Sequence, residues 1–192
     1  MESKAIIRNI TYFGNTGREN TAETLRLAKE RADELSIKTI LIASTRGEMG
    51  VKATELFRGN KVIVISHSHG FAASNKQEMS IENMSIIEAN GGVILTTTHA
   101  FAGVPRAIRR KFNTYQTSEI IAYTLRIFGE GMKVTCEIVM MAADAGLLKT
   151  SEDVIAIAGT GLGADTAAVI KPANTQDFFD LRIKEIICKP RL

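Results

Sequence analysis

The chain has 192 residues, enough for one domain with a sizeable core, and its 45% hydrophobic and 23% charged content is that of a globular protein rather than a disordered or membrane one. Its formal charge of +3 is the balance of 24 basic and 21 acidic side chains that are interspersed, so the field that nucleic-acid binding needs is missing. No run approaches the roughly 18 apolar residues of a membrane helix, and Met1-Glu2-Ser3-Lys4 lacks a secretion signal's apolar core, so a cytoplasmic location with no membrane partner is expected.

From Glu19-Asn20-Thr21 onward, Ala22, Leu25, Ala28, Ala32 and Leu35 recur at spacings of three and four, with Arg26, Lys29, Glu30, Arg31 and Asp33 on the other face. That period predicts an amphipathic surface helix, capped by Asn20 or Thr21. Residues 37–43 then read as a buried strand, 51–58 as a short helix and 62–66 as a second strand. Strand, crossover and strand make a parallel unit. A helix over 81–89 ends at Asn90-Gly91-Gly92, where glycine suits a left-handed stop, and a third strand follows at 93–97.

Between Phe101 and Leu148 the period stays helical, with breaks near Asn113-Thr114 and Gly129-Glu130-Gly131, which predicts two or three helices packed on the sheet. Strands are expected at 154–158, 166–171 and 181–188. They lie too close in sequence for helical crossovers, so at least one must run antiparallel. The two cysteines, Cys136 and Cys188, have neither a CxxC spacing nor a His/Cys cluster around them and read as reduced, buried thiols.

Two polar turns that bear glycine follow hydrophobic runs: Ser44-Thr45-Arg46-Gly47-Glu48-Met49-Gly50 and Gly159-Thr160-Gly161-Leu162-Gly163-Ala164-Asp165-Thr166. The first offers two hydroxyls, a guanidinium and two glycines ahead of a helix start, the equipment for gripping a phosphate; its plain alternative is a βα connection rich in capping residues. The second is part of a dinucleotide fingerprint only if it opens a helix, and residues 166–170 read as strand, so a nicotinamide site is disfavoured. A glycine turn between two strands remains, with a simple hairpin as its alternative role. No GxxxxGK[ST] run supports nucleotide hydrolysis.

His67 and His69 follow the second strand and His99 the third, which places all three near one rim of the sheet. They can bind metal or move protons, but no pattern of acidic ligands accompanies them, and loop histidines bonded to backbone are the favoured reading. Gly70, Phe71, Thr98 and Phe101 stand beside them, and the two aromatics are candidates to wall a pocket for a planar ring. Glu137 and Asp144 lie seven apart in an apolar helix over 134–146, either as an acid pair for proton transfer or as a polar edge. The run Arg106-Ala107-Ile108-Arg109-Arg110-Lys111 reads as a solvated helix face on which an anion can dock.

The order of parts resembles the C-terminal α/β domain of pyruvate kinase, and more closely the stand-alone proteins of this domain that are common in archaea. The resemblance rests on residues 39–50 (strand and Thr/Ser-rich loop), on 153–171 (closing strand, glycine turn and strand), and on Glu19-Asn20-Thr21, Ala142-Ala143-Asp144-Ala145-Gly146 and Ile183-Lys184-Glu185-Ile186-Ile187. It implies a regulatory domain whose two loops hold a sugar bisphosphate in many members, with Ser44, Thr45, Arg46 and Gly47 on the first loop and 159–166 on the second. Glu48 departs from the loop pattern and would repel a second phosphate. The chain has no room for the β/α barrel that carries phosphoryl transfer, so no pyruvate kinase activity is expected.

The expected fold is a three-layer α/β/α sandwich, one domain over 1–192, with a mainly parallel sheet and an antiparallel edge. Its expected function is binding of a phosphorylated small molecule at the carboxyl rim. Flavin mononucleotide fits best, with one phosphate for the Ser44 loop and a planar ring for Phe71 and Phe101. A sugar-phosphate sensor, or an enzyme using Glu137, Asp144 or a rim histidine, is the alternative. A homo-oligomer is compatible with all of these.

Overall fold

A computed structural model describes residues 5–192. Seven strands form one sheet in the order β1-β7-β6-β5-β2-β3-β4. They are β1 (Thr11–Phe13), β2 (Thr39–Ala43), β3 (Lys61–Ser66), β4 (Val93–Thr96), β5 (Val154–Ala158), β6 (Thr166–Lys171) and β7 (Arg182–Pro190). The β5–β2–β3–β4 half is parallel, β6 runs antiparallel to both β5 and β7, and β1 pairs parallel with β7. The expected mainly parallel sheet with antiparallel strands is therefore present, and the antiparallel pairs are the ones whose connections are too short for a crossover.

The helices are α1 (Thr21–Glu34), α2 (Glu48–Leu56), α3 (Ile81–Ala89), α4 (Val104–Phe112), α5 (Thr117–Arg126) and α6 (Glu130–Asp144). The central strands are buried on both faces, which is why they read as unbroken apolar runs rather than alternating ones. Ile40, Ile42, Val62, Val64, Ile155 and Ile157 join one core with Leu25 and Ala28 of α1, Met49 and Ala53 of α2 and Ile87 of α3. Their neighbours Leu41, Ile63, Ile65, Val154 and Ala156 point the other way, against Met132, Ile138 and Val139 of α6. Three layers follow directly from that period of two.

Several local expectations need correction. The strand β1 carries only three residues and no apolar run, so nothing in its own sequence marked it; it exists through its pairing with β7. In α1 the buried stripe uses Thr21, Thr24, Leu25, Ala28 and Ala32, while Ala22 and Leu35 are exposed. Neither proposed cap works by its side chain toward α1: Asn20 Nδ2 donates to the Asn15 carbonyl at 2.9 Å, and Thr21 Oγ1 accepts from Ala164 N–H at 3.0 Å. The helix α2 begins three residues earlier than expected, so Glu48, Met49 and Gly50 are its first turn. Gly50 is a packing glycine, since a Cβ there would come within 2.7 Å of Ile87 Cδ1 and Val64 Cγ1.

Candidate functional site

Chain order reverses in the middle of the sheet. From β2 the chain moves outward to β3 and β4, and from β5 it moves the opposite way to β6 and β7. The carboxyl ends of β2 and β5 therefore open beside each other at a switch point, the place where open α/β sheets leave a crevice. Here the crevice is a cleft of about 220 Å³ lined by Ser44, Thr45 and Arg46 from the first turn and Gly159, Gly161 and Gly163 from the second. The two turns singled out in the sequence thus share one cavity. A second compartment of about 180 Å³ continues from Ser44, Thr45 and His67 toward Phe71, His99 and Arg106.

The first turn is held open by its own bonds. Ser44 Oγ accepts the Gly50 N–H at 3.1 Å, and the Arg46 carbonyl accepts from Asn83 Nδ2 at 2.9 Å. Gly47 takes φ +98°, and a Cβ on it would lie 2.4 Å from Asn83 Cβ, so glycine is required by both backbone and neighbour. These bonds leave the Arg46 side chain exposed at the cleft, without an ion pair among the described residues. Glu48 reaches Arg18 at 3.5 Å across the rim, an exposed contact of little energetic weight.

The second turn divides into two parts. Gly159 and Gly161 border the cleft and Thr160 does not, while Ala164, Asp165 and Thr166 are buried and spent on structure. Asp165 is fully buried and accepts from Gly17 N–H, Thr160 N–H and Thr166 Oγ1 at 2.9, 3.1 and 2.7 Å. Ala164 is tied to α1 through Thr21 and Thr24. These three expected ligand contacts are kept by the fold for itself. Gly163 borders the cleft, yet a Cβ on it would meet Thr21 Oγ1 at 2.5 Å and Arg18 Cα at 2.6 Å, so its demand for glycine comes from the chain, not from a ligand.

His67 and His99 do meet, with ring centroids 5.1 Å apart, and Phe71 packs on both at 3.9 and 5.0 Å. His69 is exposed on the loop and outside this cluster. His67 is not a histidine bonded only to backbone: its Nδ1 lies 2.7 Å from Glu78 Oε2 and its Nε2 3.3 Å from Thr45 Oγ1. Glu78 was not visible as a site residue, because the loop that returns it to His67 has no periodic spacing. Burial pushes the His99 imidazole down to about 4, against the opposing pull of the Glu137 carboxylate.

Phe101 does not wall the cleft. It is 7% exposed, stands edge-on to Phe178 at 5.9 Å and donates its backbone N–H to Glu137 Oε1 at 3.1 Å. Gly70 and Thr98 line a separate hollow of about 200 Å³ on the far side of Phe71 and His99. Glu137 and Asp144 are not an acid pair, since Glu137 is buried against Lys133 Nζ at 2.8 Å while Asp144 binds Thr175 N–H and Asn174 Nδ2, each at 3.0 Å. Two helical turns separate them by about 10 Å along the axis.

The basic run of α4 is not a uniform solvated face. Arg109 pairs with Glu119 at 2.6 Å, but Arg106 turns inward, its guanidinium 4.7 Å above the Phe71 ring. It has no carboxylate partner among the described residues and lines the second compartment. Along the same wall, Lys133 joins Glu130 and Glu137 at 3.6 and 2.8 Å. Among the described residues no cluster of three or more His, Cys, Asp or Glu is placed to hold a metal, and no helix is long and apolar enough to cross a membrane.

Comparison with known proteins finds a match over residues 22–170 to the family model described as pyruvate kinase, alpha/beta domain. Among solved structures, a pyruvate kinase from Cryptosporidium parvum in complex with ADP is 14% identical with a TM-score of 0.40. The alignment covers 78% of this chain and 24% of that enzyme. Another Cryptosporidium parvum pyruvate kinase structure matches at 14% identity and a TM-score of 0.39, over 78% of this chain and 22% of the other. The chain thus spans under a quarter of the length of these enzymes.

Proposed function

The chain belongs to the pyruvate kinase alpha/beta domain family, and from that premise we propose that it binds a phosphorylated small molecule in the cleft where β2 and β5 end. The observation that carries this reading is that two turns distant in the chain line one cavity at the switch point, with Arg46 uncommitted at its mouth. A phosphate there meets a guanidinium and the positive end of α2 together. One phosphate suits the place better than two, because Glu48 and Glu130 stand on the same rim.

Flavin mononucleotide is the specific candidate. Its phosphate would take the first compartment and its ring the second, against Val134, Ile138 and Met141 of α6. The ring would not lie on Phe71, whose surroundings are taken by His67, His99 and Arg106. That same crowding favours a second reading, a sugar phosphate, which needs no aromatic platform.

Titration of the purified chain with flavin mononucleotide, riboflavin and a sugar monophosphate tests both. The first reading expects flavin mononucleotide to bind and riboflavin to bind more weakly, with Arg46→Ala costing about 1.5 to 3 kcal/mol, roughly ten- to a hundredfold in affinity. Tight sugar-phosphate binding with no flavin binding selects the second. Parent protein that binds none of the three, or an Arg46→Ala variant that binds as the parent does, rejects the phosphate site.

A further inference from the structure

Three residues from two loops converge beside the cleft, Thr45 from the β2–α2 turn and His67 and Glu78 from the two ends of the β3–α3 connection. A carboxylate only accepts, so in the neutral imidazole the hydrogen sits on Nδ1, 2.7 Å from Glu78 Oε2. Nε2 then keeps its lone pair toward Thr45 Oγ1, 3.3 Å away, and accepts the hydroxyl hydrogen. We propose that Thr45, His67 and Glu78 form a hydroxyl–imidazole–carboxylate relay that makes Thr45 Oγ1 a nucleophile toward small esters carrying an anionic group.

The fold takes particular care of the acid. Gln77 Nε2 donates to the His67 carbonyl at 3.0 Å, while Gln77 Oε1 accepts from the N–H groups of Glu78 and Met79 at 2.6 and 3.0 Å. One side chain thus staples the segment bearing Glu78 to the backbone of His67, and Phe71, 3.9 Å from the ring, holds the imidazole plane. Nucleophile, base and orienting acid are then in the order that triad chemistry requires. Thr45 and His67 border both compartments, so the hydroxyl faces the space a ligand would fill. The N-terminus of α2 begins three residues beyond Thr45, so the positive end of that helix dipole lies on the same turn as the hydroxyl. Arg106, unpaired in the second compartment, supplies the counter-charge for an anionic acyl group.

In the acylation step Thr45 Oγ1 bonds to the carbonyl carbon and its proton passes to His67 Nε2. The bond from that carbon to the leaving oxygen breaks, and the same proton goes to the departing alcohol. Water then gives a proton to His67 Nε2 and bonds to the carbonyl carbon of the acyl-threonine; the bond from that carbon to Thr45 Oγ1 breaks and His67 returns the proton to Oγ1, so ester and water give acid and alcohol with Thr45 restored. Glu78 touches no reacting atom and is a positioning residue. The proposal shares the cleft of the phosphate reading but does not depend on it.

The test uses the p-nitrophenyl half-ester of succinic acid and neutral p-nitrophenyl acetate, following p-nitrophenolate release and mapping the acylated peptide by mass spectrometry. The expected result is acylation on Thr45, faster with the half-ester, absent in Thr45→Val and retained in Thr45→Ser. His67→Gln should slow acylation by about a hundredfold or more. Glu78→Gln should lower kcat by at least about tenfold at unchanged KM and unchanged melting temperature, a split that a merely structural role would not produce. Parent protein acylated elsewhere or not at all, or Thr45→Val releasing p-nitrophenolate as fast as the parent, overturns the relay; a half-ester no faster than the acetate overturns the anionic preference. Flavin or sugar-phosphate titration of the parent is scored separately, so either reading can fail alone.

Discussion

Gly17 and Asp165 stand 148 positions apart, and the Gly17 N–H donates to Asp165 Oδ2 at 2.9 Å inside the protein. The same carboxylate holds Thr160 N–H of the glycine turn and Thr166 Oγ1 at the start of β6. One buried side chain therefore ties the loop before α1 to the turn that borders the cleft. Its job is to shape the cleft wall from behind.

Asp165→Ala should consequently destabilise the fold strongly. It removes a fully buried acceptor of two backbone N–H groups and a hydroxyl, and leaving such donors unsatisfied costs roughly 2 to 4 kcal/mol in all. Urea unfolding of parent and variant measures it. A loss under about 1 kcal/mol would mean the donors find other partners.

Gly163→Val and Arg46→Ala should separate stability from binding. At Gly163 a side chain meets the backbone of Arg18 at 2.6 Å with φ at +81°, so the variant should melt well below the parent or fail to fold, whatever ligand is present. Arg46 is exposed and makes no ion pair among the described residues, so Arg46→Ala should melt within about 0.5 kcal/mol of the parent. Thermal scans of both, without ligand, decide the point. Equal melting of Gly163→Val and parent would contradict the packing at the turn.

The strands and helices were legible wherever local pattern and tertiary burial agree. The run at 39–43 is apolar on both faces because α1, α2 and α3 cover one side and α6 the other, and it reads as strand from either side. Thr11–Phe13 was not legible, because its pairing with β7 comes from a partner at the far end of the chain. The same division holds at the cleft. Ser44, Thr45 and Gly159 carry turn signals of their own, so their neighbourhood was visible, whereas Glu78 and Arg106 reach the site through a loop and a helix rotation that no spacing encodes. Asp165 and Thr166 read from the sequence as part of the turn they adjoin; only the closed set of hydrogen bonds around Asp165 reveals that they face inward.

Cys136 and Cys188 are both free and buried, and burial pushes their thiols up to about 11 and about 12. Neither carries an appreciable thiolate fraction near neutral pH, which makes them poor nucleophiles. Native protein should react negligibly with a thiol-specific disulfide reagent, and should release two equivalents only after denaturation. The melting temperature should be the same with and without reductant. Rapid labelling of the native chain would show that one of the two cysteines opens to solvent.

His99 should make the protein weaken on mild acidification. Burial among Phe71, His67, Lys133 and Arg106, only partly offset by the Glu137 carboxylate, lowers its folded value from 6.5 to about 4. Between those two values the unfolded chain takes up a proton that the native chain refuses, so the unfolded state binds more protons and stability falls as pH falls. Above 6.5 the group contributes nothing to the pH dependence, and below about 4 the penalty is fully developed. The slope inside the window is at most about 1.4 kcal/mol per pH unit. Asp144, held low by Thr175 and Asn174 against the cost of burial, acts in the same direction but only below its ordinary value of 3.8, so the two windows separate. Urea unfolding at about pH 7 and about pH 5 should show a loss on the order of 1 to 2 kcal/mol in the parent that is smaller by most of that amount in His99→Gln. If parent and variant lose the same stability over this interval, His99 titrates in the native protein as it does in the unfolded chain, and the loss belongs to other groups.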